Sequence, residues 1–268
     1  MRFDAHLAVD WSASSIPKRE RDSIWLCNHG SPPENPSTRH EATQRVRELL
    51  EQLVADGKRV LVGFDFPYGY PRGFADLVAP GAGPPWRRIW DALVRLVRDD
   101  EMNANNRFDV AAALNVDGGP FWGCPGRQAR DGLTVTRGIP FPHKGLQELR
   151  AVERAVRGVQ STWKLGGVGS VGSQALLGIP RVAALRDDQA LAPVSAVWPF
   201  EPIDEAQVVH VEIWPGLIEP SAHAVRDAGQ VEALVGHWAR LDAVGKLRPL
   251  FEVPQSASVE EGWIFGVR

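Results

Sequence analysis

Three segments of this chain share one unusual arrangement. Each is an apolar run of strand character that ends in a carboxylic acid, with an aromatic residue close behind: LAVDW at 7–11, VGFDFP at 62–67 and VHVEIWP at 209–215. An ionised carboxylate at the end of a buried run is costly unless a partner meets it, and otherwise its pKa climbs until it neutralises. In an open α/β sheet, ligands bind beyond the carboxyl ends of the strands. If the three strands lie parallel and side by side, Asp10, Asp65 and Glu212 converge at one edge, where like charges repel. A divalent cation removes that conflict. Mg²⁺ takes oxygen ligands, is held by one or two carboxylates and keeps waters for phosphate oxygens. The expectation is therefore a Mg²⁺ or Mn²⁺ site at which Asp10, Asp65 and Glu212 act as ligands and catalytic acids. A single acid in this context is equally well a loop cap or half of an arginine pair; the argument rests on the repetition.

The remaining pattern places these runs in an α/β chain with a mixed sheet. Strands are expected at 6–11 and 23–27, joined by a polar loop as a wide hairpin. A third strand in 28–36 is restricted to an edge by Pro32, Pro33 and Pro36. Ser37 or Thr38 caps a long helix, with Glu41 placed as the capping-box partner and Val46, Leu49, Leu50, Leu53 and Val54 at helical spacing. A buried strand follows at 60–66. Helices are expected at 85–99, 108–114, 145–159 and 180–189, strands at 196–200 and 208–214, a helix at 229–244, and a short apolar piece at 259–267. The long irregular stretch 80–200 reads as an insertion in a single domain spanning 1–268.

Composition narrows the partners. With 30 basic and 33 acidic residues the net charge is −3, which argues against a bulk polyanion binder. The two cysteines are far apart and form no CxxC, so a thiolate zinc site is excluded and a reducing, cytoplasmic setting is expected. No run approaches the roughly 18 apolar residues of a membrane span, and the N-terminus has no signal-peptide pattern.

The VDWSAS hairpin at 9–14, the following helix and GFDFP at 63–67 resemble the ribonuclease H-like fold, which actin-like ATPases and sugar kinases share. Within it the chain is most similar to the DUF429-type family of predicted RNase H-like nucleases. That resemblance covers 6–70 well and 205–268 loosely, and implies a mixed sheet of order 3-2-1-4-5 flanked by helices. It places metal-binding acids at Asp10 on the first strand and Asp65 on the fourth. It makes Glu212 a candidate on the fifth, and Glu261, beside Glu260 just before GWIFGV, the candidate for the acid that the fold carries on its C-terminal helix.

A second motif, TWKLGGVGSVGSQALLG at 162–178, contains a literal GxGxxG at Gly167, Gly169 and Gly172. No clear strand precedes it, so a dinucleotide fold is a poor reading. A phosphate cradle fits better: Ser170 and Ser173 offer hydroxyls, a helix at 173–177 would present free N–H groups, and Lys164 adds charge. Ser12 in the first turn, and Arg137 and His143 in RGIPFPHKG, complete the candidate anion-binding set. A Ser170–His143–Asp65 triad can be drawn, but no GxSxG elbow supports it. The function expected is divalent-metal-dependent phosphoryl chemistry, foremost a selective nuclease or phosphodiesterase acting on nucleic acid or a nucleotide-like small molecule. The alternatives are a nucleotide-dependent phosphotransferase or cofactor-biosynthesis enzyme, and a non-catalytic ligand-binding protein.

Overall fold

The protein was analysed as a computed structural model that describes residues 2–156, 158–167, 169–254 and 260–268. The chain is α/β, with a five-stranded mixed sheet flanked by helices. β1 (Ala5–Asp10) and β2 (Trp25–Asn28) pair antiparallel, with Ala8 opposite Cys27. Helix α1 (Arg39–Ala55) then crosses to β3 (Val60–Phe64), which runs parallel to β1 with Leu7 opposite Val62. Four helices follow: α2 (Phe74–Val78), α3 (Pro85–Leu96), α4 (Arg107–Leu114) and α5 (Ala151–Ala155). Helix α6 (Val171–Arg186) leads to edge strand β4 (Ser195–Val197), then β5 (Val208–Glu212) and α7 (Arg226–Ala243).

The sheet order is β2-β1-β3-β5-β4. Its inner part matches the expected order: the hairpin strand, the first strand, and two parallel neighbours. It departs at both margins. The Pro-rich third strand is reduced to one antiparallel bridge, Leu26 to Glu34, because prolines cannot donate to a ladder. At the other edge β4, from the end of the 80–200 insertion, adds a parallel strand beside β5.

The two-residue period of the strands divides the core. Leu7, Val9, Val60, Val62 and Phe64 face a layer that includes α1, α3 and α6, whereas Ala8, Leu61, Val209 and Val211 face Val231, Leu234, Val235 and Trp238 of α7. Helix α1 starts as expected: Thr38 accepts from the Glu41 backbone N–H, and the Glu41 carboxylate accepts from the Ser37 N–H. The insertion is not a detached unit, since α6 packs on the sheet through Gly178. A Cβ there would lie 2.3 Å from the Phe66 ring. Gly178→Ala is therefore expected to destabilise the fold by about 1–3 kcal/mol through overpacking, readable as a drop in the urea midpoint at unchanged slope; an unchanged midpoint would show that the helix can move away freely.

Three helix expectations are corrected. The segment 145–159 is helical only over Ala151–Ala155. The helix expected at 180–189 instead begins at Val171 and carries Pro180 in its interior. The last helix begins at Arg226, three residues before the expected 229. The C-terminal apolar piece makes a single parallel bridge, Glu212 to Ile264; its first residue, 259, lies outside the described residues.

Candidate functional site

β1 and β3 are parallel neighbours in register, with Val9 opposite Phe64. The residues that follow, Asp10 and Asp65, therefore leave the sheet side by side, and the Asp65 N–H donates to the Val9 carbonyl at 2.9 Å. Their carboxyls are within hydrogen-bonding reach of each other. Among the described residues no Lys, Arg or His forms an ion pair with either one. Burial first, then the charges of Asp65 and Asp227, push the Asp10 carboxyl well above the carboxylate range. Burial likewise lifts Asp65 to about 7, the Asp10 hydrogen bond holding it down against the charges of Glu212 and Asp227. The pair thus holds a proton close to neutrality, with Asp10 as donor and Asp65 as acceptor.

Asp227 is the acid that the sequence reading missed. It lies in the first turn of α7, where a carboxylate is favoured by the helix dipole, and its Oδ2 accepts from the Asp22 N–H at 2.9 Å. With the helix start placed at 229, Asp227 fell in a loop; an acid one turn before the apolar stripe was the available signal.

Glu212 and Glu261 are placed differently from the expectation. Glu212 is 2% exposed. Its two oxygens are gripped by Arg150, Nη2 to Oε1 at 2.6 Å and Nη1 to Oε2 at 2.8 Å, and Oε2 also accepts from the Tyr68 N–H at 2.9 Å. A bidentate guanidinium occupies the coordination positions that a metal would need. Glu261 accepts from the Arg72 and Ala151 N–H groups, and Glu260 from those of Gly73 and Ala75. Both fix loop backbone and the start of α2. The third strand-end acid is thus neutralised by an arginine, and the third acid facing the Asp10–Asp65 pair comes from α7.

The pair sits in a cleft of about 810 Å³ that also takes in Asp227, Ser12, Arg107, Trp214 and the glycine-rich loop at Gly166, Gly167, Gly169, Ser170 and Ser173. Two motifs separated by a hundred residues in sequence therefore face one space. Gly172 is not part of its wall; it packs against backbone, where a Cβ would lie 2.5 Å from the Thr162 carbonyl oxygen. Gly167 and Gly169 have φ of +82° and +70°, the left-handed region that favours glycine. Lys164 lies outside the cleft wall and donates to Gln160. The RGIPFPHKG residues lie elsewhere too: Arg137 pairs with Glu148 at 2.5 Å, and His143 Nε2 donates to the Val116 carbonyl. Ser12 takes part in the turn after β1, accepting from the Ser14 N–H.

Comparison with protein-family models, curated proteins and solved structures finds no match. The site has to be read from its own chemistry.

Two half-buried carboxyls in contact, with a third close by and no cation among the described residues paired to the first two, form a donor set of oxygen atoms only. That set suits a hard divalent ion. Among the described residues no group of three or more His, Cys, Asp or Glu side chains is placed to hold a metal ion; an ion held by Asp10 and Asp65 would take the rest of its shell from water or substrate oxygen, as Mg²⁺ commonly does. Among the described residues no helix is long and apolar enough to cross a membrane.

Proposed function

We propose that the cleft hydrolyses a phosphoester with the help of a divalent metal, Asp10 and Asp65 being the ligands and Asp227 the acid that completes the anionic wall. The observation that carries this reading is the Asp10–Asp65 contact: two carboxyls held together by strand register, with no side-chain cation among the described residues paired to either. Like charges gathered at a strand edge are destabilising, and a bound Mg²⁺ or Mn²⁺ would turn that repulsion into coordination while activating a water and polarising a phosphoryl oxygen. Asp65 contributes an acceptor fixed by its backbone bond to Val9. Asp227 comes from a different element, the first turn of α7, and is held by the Asp22 N–H. A net charge of −3 favours a short substrate, a nucleotide or an oligonucleotide end, over a long polyanion.

The presence of the glycine-rich loop in the same cleft keeps a second reading in view, phosphoryl transfer from a nucleotide to a small molecule. One experiment addresses both. Mg²⁺ or Mn²⁺ is expected to raise Tm, and metal-dependent cleavage is expected in a panel of nucleotides and short oligonucleotides. Both effects should vanish in Asp10→Asn, while the metal shift persists in Glu212→Gln even though that variant is less stable. ATP-dependent product formation without cleavage would favour the transferase. A metal shift that survives in Asp10→Asn but is lost in Glu212→Gln would overturn the assignment of ligands.

A further inference from the structure

The wall of the cleft that holds the acid pair also carries the guanidinium of Arg107. Two further arginines, Arg39 and Arg181, do not line the cleft, and both pair with Asp99. Arg39, fully buried, grips it through Nε at 2.9 Å and Nη2 at 2.5 Å, and Arg181 takes the remaining reach at 2.8 Å. Arg107, at the start of α4, is close enough to this group that the Arg39 charge acts on it, yet it forms no ion pair of its own among the described residues. Asp99 is thus taken by Arg39 and Arg181, and Arg107 is left without a carboxylate partner among the described residues.

Arg107 is held rigidly. Its Nη1 donates to Ser15 Oγ at 2.9 Å and to Asn105 Oδ1 at 2.7 Å, its Nε donates to Ser173 Oγ at 3.1 Å, and its guanidinium lies 4.4 Å from the centre of the Phe108 ring. No acceptor among the described residues meets Nη2. The contact with Ser173 places the guanidinium beside the first turn of α6, a sixteen-residue helix whose N-cap, Ser170, makes no side-chain capping bond. Helix N-termini favour anions through their dipole and free N–H groups; at α6 the Val171 and Gly172 N–H groups already donate to the Gly169 and Lys164 carbonyls, so the dipole carries the attraction there. A further donor is unused: Trp11, 2% exposed and part of the cleft wall, has its indole N–H unpartnered.

We infer that Arg107, Ser170, Gly167 and Gly169 form a phosphate-binding subsite that holds a second, non-reacting phosphate group of the substrate. Donors of three kinds face the cleft from two insertion elements and from the turn after β1, and the Arg107 charge, without a carboxylate partner among the described residues, suits an anion. That the substrate's other phosphate reacts at Asp10 and Asp65 rests on the proposed function; the subsite itself does not. The substrate class is then a compact molecule with two phosphoryl groups, such as a 5′-phosphorylated dinucleotide. Burial lowers the Arg107 pKa to about 10, so the group is still charged at neutral pH.

The test is thermal stability of the whole chain in buffer with EDTA, comparing sodium phosphate with sodium chloride at equal ionic strength. Phosphate is expected to raise Tm in a concentration-dependent way in the parent chain and in Asp10→Asn. Ser170→Glu, which puts an acid at an N-cap where it favours the helix, is expected to keep the fold and lose the phosphate shift. Arg107→Gln should lose it too. The Mg²⁺ shift should survive in Ser170→Glu, so that failure of the subsite and failure of the metal site give different patterns. A phosphate shift no larger than that of chloride, or one that persists in Ser170→Glu, overturns the inference.

Discussion

Asp10→Asn is expected to make the metal-free protein more stable at pH 8. The physical reason is the shared proton. Burial raises both carboxyls: Asp10 goes well above its ordinary value, with the Asp65 charge adding to it, and Asp65 goes to about 7 against the Asp10 hydrogen bond that holds it down, whereas in the unfolded chain both ionise near 4. Between those limits the native state binds more protons than the unfolded state. Its stability therefore falls as pH rises from about 4 through about 7. An asparagine at position 10 reproduces the protonated carboxyl, because its amide N–H can donate to Asp65 as the acid proton does. It removes the penalty without removing the bond.

Each unit of pKa shift corresponds to about 1.4 kcal/mol, and water reaching these half-buried groups screens part of the total. The gain in Asp10→Asn should be about 2 kcal/mol at pH 8 and fade towards pH 5. Urea unfolding across that range in EDTA is the measurement. The outcome that would sink the argument is a variant less stable than the parent at pH 8, or a pH slope left unchanged. With Mg²⁺ present the order should reverse, since the parent gains ligand-linked stability and the variant does not. A residue that weakens the fold where nothing is bound, and strengthens it where something is, is being kept for what it binds.

The legible part of this site and the illegible part differ for physical reasons. Asp10 and Asp65 were readable because a strand of period two that ends in an acid is a local pattern, and parallel pairing of neighbours follows from the helix between them. Glu212 has the same local pattern and nevertheless a different role. What distinguishes it is Arg150, 62 residues away in an irregular stretch, and no periodicity announces a contact of that kind. Asp227 was hidden by a helix boundary, the least certain quantity in a sequence. The helical pieces expected at 173–177 and 180–189 are one helix, and its continuity was hidden by Gly178 and Pro180, which read as breakers; packing against Thr162 and Phe66 requires Gly172 and Gly178. Arg107 gave no signal because its distinguishing property, a charge without a carboxylate, exists only once Asp99 has been claimed by two other arginines.

Arg150→Met is expected to have the largest effect on stability of any single change at the strand edge. Arg150 is fully buried and donates Nε to Glu153 at 2.8 Å, Nη1 to the Glu261 carbonyl at 2.8 Å, and both terminal nitrogens to Glu212. Its own backbone N–H donates to Glu153 Oε2 at 2.9 Å. Methionine fills much of the volume but leaves two carboxylates of near-zero exposure without their counter-charge. Breaking a buried pair by removal of one partner costs about 3–5 kcal/mol, while replacing the whole pair by neutral groups can be close to neutral. Arg150→Met should therefore lose that amount at pH 8, and less at pH 5, where Glu153, already raised by burial, can take up a proton. Adding Glu212→Gln and Glu153→Gln should recover a large part, because glutamine still accepts from the Tyr68 and Arg150 N–H groups. If the triple variant is no more stable than Arg150→Met, the loss comes from packing and not from stranded charge. If it recovers, Glu212 is shown to be held in place as half of an ion pair, and the Asp65 carboxyl is left with Asp10 and Asp227 as its functional neighbours.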